Sequence, residues 1–135
     1  MGEPTVNDCS SRPLRIFLVE NHRDTLEYMQ IYLEMFGHTV LTADSMTKAL
    51  ATLPQADCNV LISDIGLPDG DGWMLLHRLQ LSRPVYAIAM SGFGMGADQL
   101  RSQEAGYRRH LLKPINPKEL DAALEEAARE LSATR

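Results

Sequence analysis

The sequence predicts a doubly wound α/β domain built on five parallel strands, and two observations carry that prediction. Short apolar runs alternate with amphipathic stretches five times along the chain, the pattern of strands joined by covering helices. The runs themselves, such as Ile16-Phe17-Leu18-Val19 and Val60-Leu61-Ile62, are continuously apolar rather than alternating, as strands covered on both faces require.

Each element follows from local signals. The first strand is Ile16 to Val19. Asp24-Thr25-Leu26-Glu27 reads as a capping box opening a helix, with Leu26, Met29, Leu33 and Phe36 near helical spacing and Gly37 as a stop. The second strand is Thr39 to Ala43. Ser45 opens the next helix, Ala49, Leu50 and Leu53 face inward, and Pro54 ends it. The third strand runs from Val60 to Ser63 and ends at Asp64. A loop from Ile65 to Gly72 leads into a helix carrying Trp73, Leu75, Leu76 and Leu79. The fourth strand, Val85 to Met90, ends at Ser91-Gly92, and a weaker helix from about Ala97 to Ala105 is closed by Gly106. The fifth strand, about Arg109 to Leu112, runs into Lys113-Pro114. Asn116 as N-cap, Pro117 at the first helical position and Glu119 open the last helix, whose inner stripe is Leu120, Ala123, Leu124, Ala127 and Ala128. Right-handed crossovers and a sheet of order 2-1-3-4-5 bury every apolar face.

The 135 residues suit one domain. We expect residues 1–13 to be a flexible tail, 14–131 the folded domain and 132–135 a short C-terminal tail. At 44% hydrophobic and 23% charged, the composition is that of a globular protein. A net charge of −5 argues against direct contact with nucleic acid, which needs a concentrated positive face. No stretch approaches the roughly 18 apolar residues of a membrane span, and the first 13 residues lack the features of a signal peptide. Cys9 and Cys58 make no disulfide framework and read as reduced thiols in a cytoplasmic protein. His22, His38 and His77 show no metal-ligand spacing and read as surface residues. Trp73 reads as core or near-core. Gly92-Phe93-Gly94-Met95-Gly96 lacks the Lys-Ser/Thr of a phosphate-binding loop and reads as a mobile loop over the site.

Open α/β sheets place their sites at the carboxyl ends of strands. In the expected order the first, third, fourth and fifth strands are neighbours, so Glu20-Asn21, Asp64, Ser91 and Lys113 cluster. Oxygen donors gathered in one pocket suit a hard cation such as Mg²⁺, which would offset repulsion between an anionic donor and an Asp64 nucleophile. Lys113 offers a second positive charge, and Ser91 a hydroxyl able to sense a phosphoryl oxygen. A carboxylate nucleophile yields an acyl phosphate, a labile store of information.

Together, in order and at their spacing, Phe17-Leu18-Val19-Glu20-Asn21, Leu61-Ile62-Ser63-Asp64-Ile65-Gly66-Leu67-Pro68-Asp69-Gly70-Asp71-Gly72, Met90-Ser91-Gly92 and His110-Leu111-Leu112-Lys113-Pro114 resemble the receiver domain of bacterial-type response regulators. The resemblance covers about Leu14 to Arg129 and implies the flavodoxin-like, CheY-like (βα)5 fold. It implies a two-component signalling domain, not an enzyme in the ordinary sense, that assists its own phosphorylation and dephosphorylation. Asp64 occupies the phosphoacceptor position. Glu20, Asn21, Asp64 and the Gly66 backbone carbonyl occupy the Mg²⁺ positions, Lys113 the family's lysine position, and Ser91 and His110 the switch positions. The Lys113–Pro114 bond is cis by analogy. Two departures stand out. Asn21 replaces the usual metal-binding aspartate and brings no charge, which predicts weaker Mg²⁺ binding. His110 replaces the usual Tyr or Phe with a polar, titratable ring.

The expected partners are a histidine kinase or histidine phosphotransfer domain, and a downstream protein docking on the fourth helix, fifth strand and fifth helix, a face through which a homodimer could also form. Neither a membrane nor direct nucleic-acid binding is expected. If the chain is the whole protein, residues 132–135 leave no room for an output module, and it acts by protein contact. The alternative is a pseudo-receiver that docks without being phosphorylated, for which Asn21 is the argument. An aspartyl-nucleophile phosphatase needs a second aspartate two residues on, where this chain has Gly66.

Overall fold

The computed structural model describes residues 13–81, 83–92 and 96–133. The expected N-terminal tail apart from Pro13, Cys9 within it, and the centre of the glycine-rich loop, Phe93-Gly94-Met95, lie outside the described residues. Strands β1 (Arg15–Val19), β2 (Thr39–Ala43), β3 (Val60–Asp64), β4 (Tyr86–Ser91) and β5 (Arg109–Leu112) alternate with helices α1 (Arg23–Met35), α2 (Met46–Thr52), α3 (Gly72–Arg78), α4 (Gly96–Ala105) and α5 (Pro117–Ala133). The sheet is parallel, in the order β2-β1-β3-β4-β5 that the sequence predicts. Its register sets Val19 beside Ser63, Asp64 beside Met90 and Ser91 beside Leu112, so four strand ends finish level.

Side chains alternate across the pleat into two cores. Ile16, Leu18, Val60, Ile62, Ile88 and Met90 meet Met29 and Leu33 of α1 and Leu120, Ala123, Leu124 and Ala127 of α5. Phe17, Val19, Leu61, Ala87 and Ala89 meet Met46 and Ala49 of α2 and Leu75 of α3, with Ala105 of α4 against the rim. All five residues of β3 are buried. Each large aliphatic side chain so buried contributes about 1.5–3 kcal/mol relative to exposure.

Several local expectations are corrected. Asp24 does not cap α1: the cap and the helix start lie two residues earlier, and the His22 ring accepts from the Thr25 N–H instead. Asp24 lies inside the first turn, where its charge meets the positive end of the helix dipole, and Glu27 pairs with Arg23 at 3.3 Å. Phe36 is exposed and lies tilted against the Tyr32 ring, because the chain has left the helical path at that residue. His38 is buried, not superficial, since its Nδ1 accepts from the Leu14 N–H at 3.1 Å, a backbone donor no strand partner reaches. Gly37, at φ +91°, makes the left-handed turn after α1 that a side chain would oppose. Pro54 sits in a short 3-10 turn, Leu53–Gln55, that follows α2. The last helix continues through Ala133, into the segment expected to be a tail.

Candidate functional site

The strand ends bring Glu20, Asp64 and Lys113 into contact. Glu20 follows β1 and is wholly buried, and Asp64, which ends β3, is 8% exposed. Lys113, after β5, reaches across to both: its Nζ donates to Glu20 Oε1 at 2.7 Å and to Asp64 Oδ2 at 3.1 Å. The second Glu20 oxygen accepts from the His22 N–H at 2.9 Å, and Asp64 Oδ1 from the Gly66 N–H at 3.3 Å. Burial, then the neighbouring Glu20 carboxylate, hold Asp64 above the ordinary aspartate value, while its bond to Lys113 pulls it back. Burial pulls the Lys113 ammonium down, but its bonds to Glu20 and Asp64 together leave it raised. The Lys113–Pro114 peptide is cis.

The sequence around Asp64 explains its presentation. Gly72 opens α3 directly beneath it, and a Cβ there would meet the Asp64 carbonyl oxygen at 2.8 Å and the Ile65 side chain at 2.9 Å. Asp71 caps α3, its Oδ1 accepting from the Met74 N–H at 2.7 Å. The segment expected to be a loop contains a short antiparallel ladder in which Gly66 pairs with Asp71 and Leu67 with Gly70. At its tip Asp69 accepts from the backbone N–H groups of Met46 and Thr47, both at 2.8 Å. The loop behind the carboxylate is thus tied to the starts of both α2 and α3.

Among the described residues, no three His, Cys, Asp or Glu side chains gather as a metal cluster. The donors expected from the sequence are the Glu20 and Asp64 carboxylates, both buried here, the amide of Asn21, which is exposed, and the backbone at Gly66. That set fits Mg²⁺, which takes oxygen ligands, is satisfied by one or two carboxylates and retains several waters.

Ser91 and His110 are joined: Ser91 Oγ lies 2.8 Å from His110 Nε2. The other ring nitrogen is 2.8 Å from Ser102 Oγ, and Ser102 also accepts from Trp73 Nε1 at 2.9 Å. Burial holds the His110 imidazole below its ordinary value. Sequence reasoning missed Ser102 and gave Trp73 only a packing role. No local signal marks Ser102, because only the register of α4 over β5 brings it to His110. Outside His110, two open grooves of ≈510 and ≈440 Å³ share Gln99, Arg109 and His110 along α4 and β5. They border the face on which an output contact is expected.

Comparisons with known proteins agree with this fold. The family model of the response regulator receiver domain matches residues 16–125. The chain is 30% identical over 119 residues to the KDP operon transcriptional regulatory protein KdpE of Escherichia coli, covering 88% of this chain and 53% of that protein. It is 30% identical over 108 residues to an uncharacterized 14.6 kDa protein of Leptolyngbya boryana, covering 78% and 82%. This chain therefore spans about half the length of KdpE and most of the smaller relative. Among solved structures, a CheY-like receiver domain protein from Methanospirillum hungatei superposes with a TM-score of 0.84 at 27% identity, covering 92% of this chain and 100% of that one. A two-component response regulator from Clostridium difficile gives 0.82 at 21%, over 87% and 98%, a likeness of fold.

Proposed function

The chain belongs to the response regulator receiver family, and from that premise we propose that it accepts one phosphoryl group on Asp64 from a histidine kinase or a histidine phosphotransfer protein. The observation that carries this reading is the convergence of Asp64, Glu20 and Lys113 in one pocket. An Asp64 oxygen attacks the phosphorus of a phosphohistidine. The P–N bond breaks, its electron pair leaves on the imidazole nitrogen, and that nitrogen is then protonated from solvent. Lys113, held charged by two carboxylates, stays close enough to pair with the incoming phosphoryl oxygens. Glu20, Asn21, Asp64 and the Gly66 carbonyl are the groups that would hold Mg²⁺. When bound, the ion supplies positive charge that offsets repulsion between donor and acceptor anions. The same pocket, by admitting water to the acyl phosphate, assists its eventual loss.

The output is a change in the protein-binding face of α4, β5 and α5, through which a second copy could also pair. The reading includes a cytoplasmic site of action, in keeping with Cys58 as a buried free thiol. No helix among the described residues is long and apolar enough to cross a membrane. The names of KdpE and similar relatives speak of transcriptional regulation, but for this acidic segment we propose no direct contact with nucleic acid.

Incubation with Mg²⁺ and a small acyl phosphate, followed by intact mass, tests the reading. One added phosphoryl group on the native protein and none on Asp64→Asn is the expected result. A second reading, docking without phosphorylation, is favoured by one observation: Asn21 leaves the pocket with only two carboxylates, and Lys113 already bridges both. It becomes the better account if neither the small donor nor a cognate phosphotransfer protein modifies Asp64.

A further inference from the structure

Trp73, Ser102, His110 and Ser91 form a hydrogen-bonded file from α3 through α4 and β5 to the end of β4. Its polar centre is shielded, with Ser102 at 1% exposure and Ser91 at 7%. The file has a direction. An indole nitrogen only donates, so Ser102 Oγ accepts from Trp73, and the single Ser102 hydroxyl proton must be donated onward. Among the described residues its one other hydrogen-bond partner is His110 Nδ1, which accepts only when it carries no proton. The ring proton of a neutral His110 then sits on Nε2 and is donated to Ser91 Oγ. Ser91 is the acceptor in that bond, so its own proton is directed to a different acceptor.

Two further features support this order. Burial favours the neutral ring that the file needs, with Asp98 on α4 acting partly against it. The Arg101 guanidinium lies 4.0 Å over the Trp73 indole and holds the ring that starts the file.

We propose that Trp73 and Ser102 are positioning residues that fix His110 as the Nε2–H tautomer and so aim the Ser91 hydroxyl at a phosphoryl oxygen on Asp64. The aim of Ser91 rests on the phosphoacceptor reading above; the tautomer does not. Because Ser91 accepts from His110, it can donate to the phosphoryl group without breaking that bond, and each link polarises the next.

Long-range proton–nitrogen NMR of the histidine rings tests the file in the full unphosphorylated chain at neutral pH, with His110→Gln identifying the His110 signals. The expected result is a bare Nδ1 and a protonated Nε2 in the native protein and in Ser102→Thr, which keeps the hydroxyl. Ser102→Ala, and Trp73→Phe, which keeps a ring but loses the N–H, should give a mixture of tautomers. An Nδ1–H ring in the native protein, or one unchanged in both variants, overturns the file. In the same proteins, phosphorylation of Asp64 by a small acyl phosphate should slow by a factor of about 3 to 10 in Ser102→Ala and Trp73→Phe and recover in Ser102→Thr. Altered tautomers with unaltered rates overturn the positioning role. A native protein that takes up no phosphoryl group overturns the reading of Asp64 and with it the aim of Ser91, while the ring signals still decide whether the file exists.

Discussion

Asn21 differs from an aspartate by an NH₂ in place of one oxygen, and in the proposed metal site that exchange would set the charge. An aspartate in that proposed site would add a third carboxylate to the two, Glu20 and Asp64, that Lys113 contacts. Opposite unit charges about 4 Å apart interact by about 1 kcal/mol in water and about 4 kcal/mol near a protein surface. Asn21→Asp should therefore tighten Mg²⁺ binding about tenfold by calorimetry, and lower the melting temperature without the ion but not with it. Equal affinities in the two proteins would show that Asn21 stands outside the metal site. These residues were legible because each closes an apolar run at a strand end. His38 was not, since a lone histidine between Gly37 and Thr39 looks like any turn residue; only the fold reveals that Leu14 N–H needs its ring. Burial depresses its pKa from the ordinary 6.5. The unfolded chain then takes up a proton that the folded one resists, so this contribution to stability is whole above about pH 6.5. It is lost as pH falls from there through the lower folded value. Urea midpoints should fall more between about pH 7.5 and 5.5 in the native protein than in His38→Gln; equal slopes would refute the assignment.

Helix starts decide how firmly Asp64 is presented. Asp71 caps α3, and the next residue, Gly72, lies against the Asp64 carbonyl. Asp71→Ala should cost about 1 kcal/mol in urea unfolding and also slow phosphorylation, because the first turn of α3 supports the strand end that carries Asp64. Loss of stability with an unchanged rate would separate the cap from the site. Capping signals were only partly legible. Ser45 and Asn116 cap as their positions predict, Ser45 Oγ accepting from the Lys48 N–H and Asn116 Oδ1 from the Lys118 N–H. The box at Asp24 failed because His22, a less usual cap, begins the helix two residues earlier. The ladder between Gly66 and Asp71 escaped notice because two-residue strands are too short to carry a periodicity.

At the scale of the molecule, β3 carries the fold and the site together: its side chains fill both cores, and its last residue is Asp64. Ile62→Ala, at a wholly buried position, should cost about 2–5 kcal/mol. Leu41→Ala, on the exposed side of edge strand β2, should change stability by no more than about 0.5 kcal/mol. Similar losses from both would contradict the two-core description. The architecture was legible because continuous apolar runs and helical stripes repeat five times, and one sheet order buries them all. The file from Trp73 to Ser91 was not, because it depends on how three elements pack beside β4, which no stretch of sequence encodes alone. The central claim, that Asp64 is the phosphoacceptor, is tested most directly by borohydride reduction after treatment with Mg²⁺ and an acyl phosphate. Reduction converts an acyl phosphate to an alcohol that peptide mass spectrometry can locate. The account predicts modification at residue 64 alone, abolished when the metal is chelated. Modification at another carboxylate, or none with either the small donor or a cognate phosphotransfer protein, would contradict it.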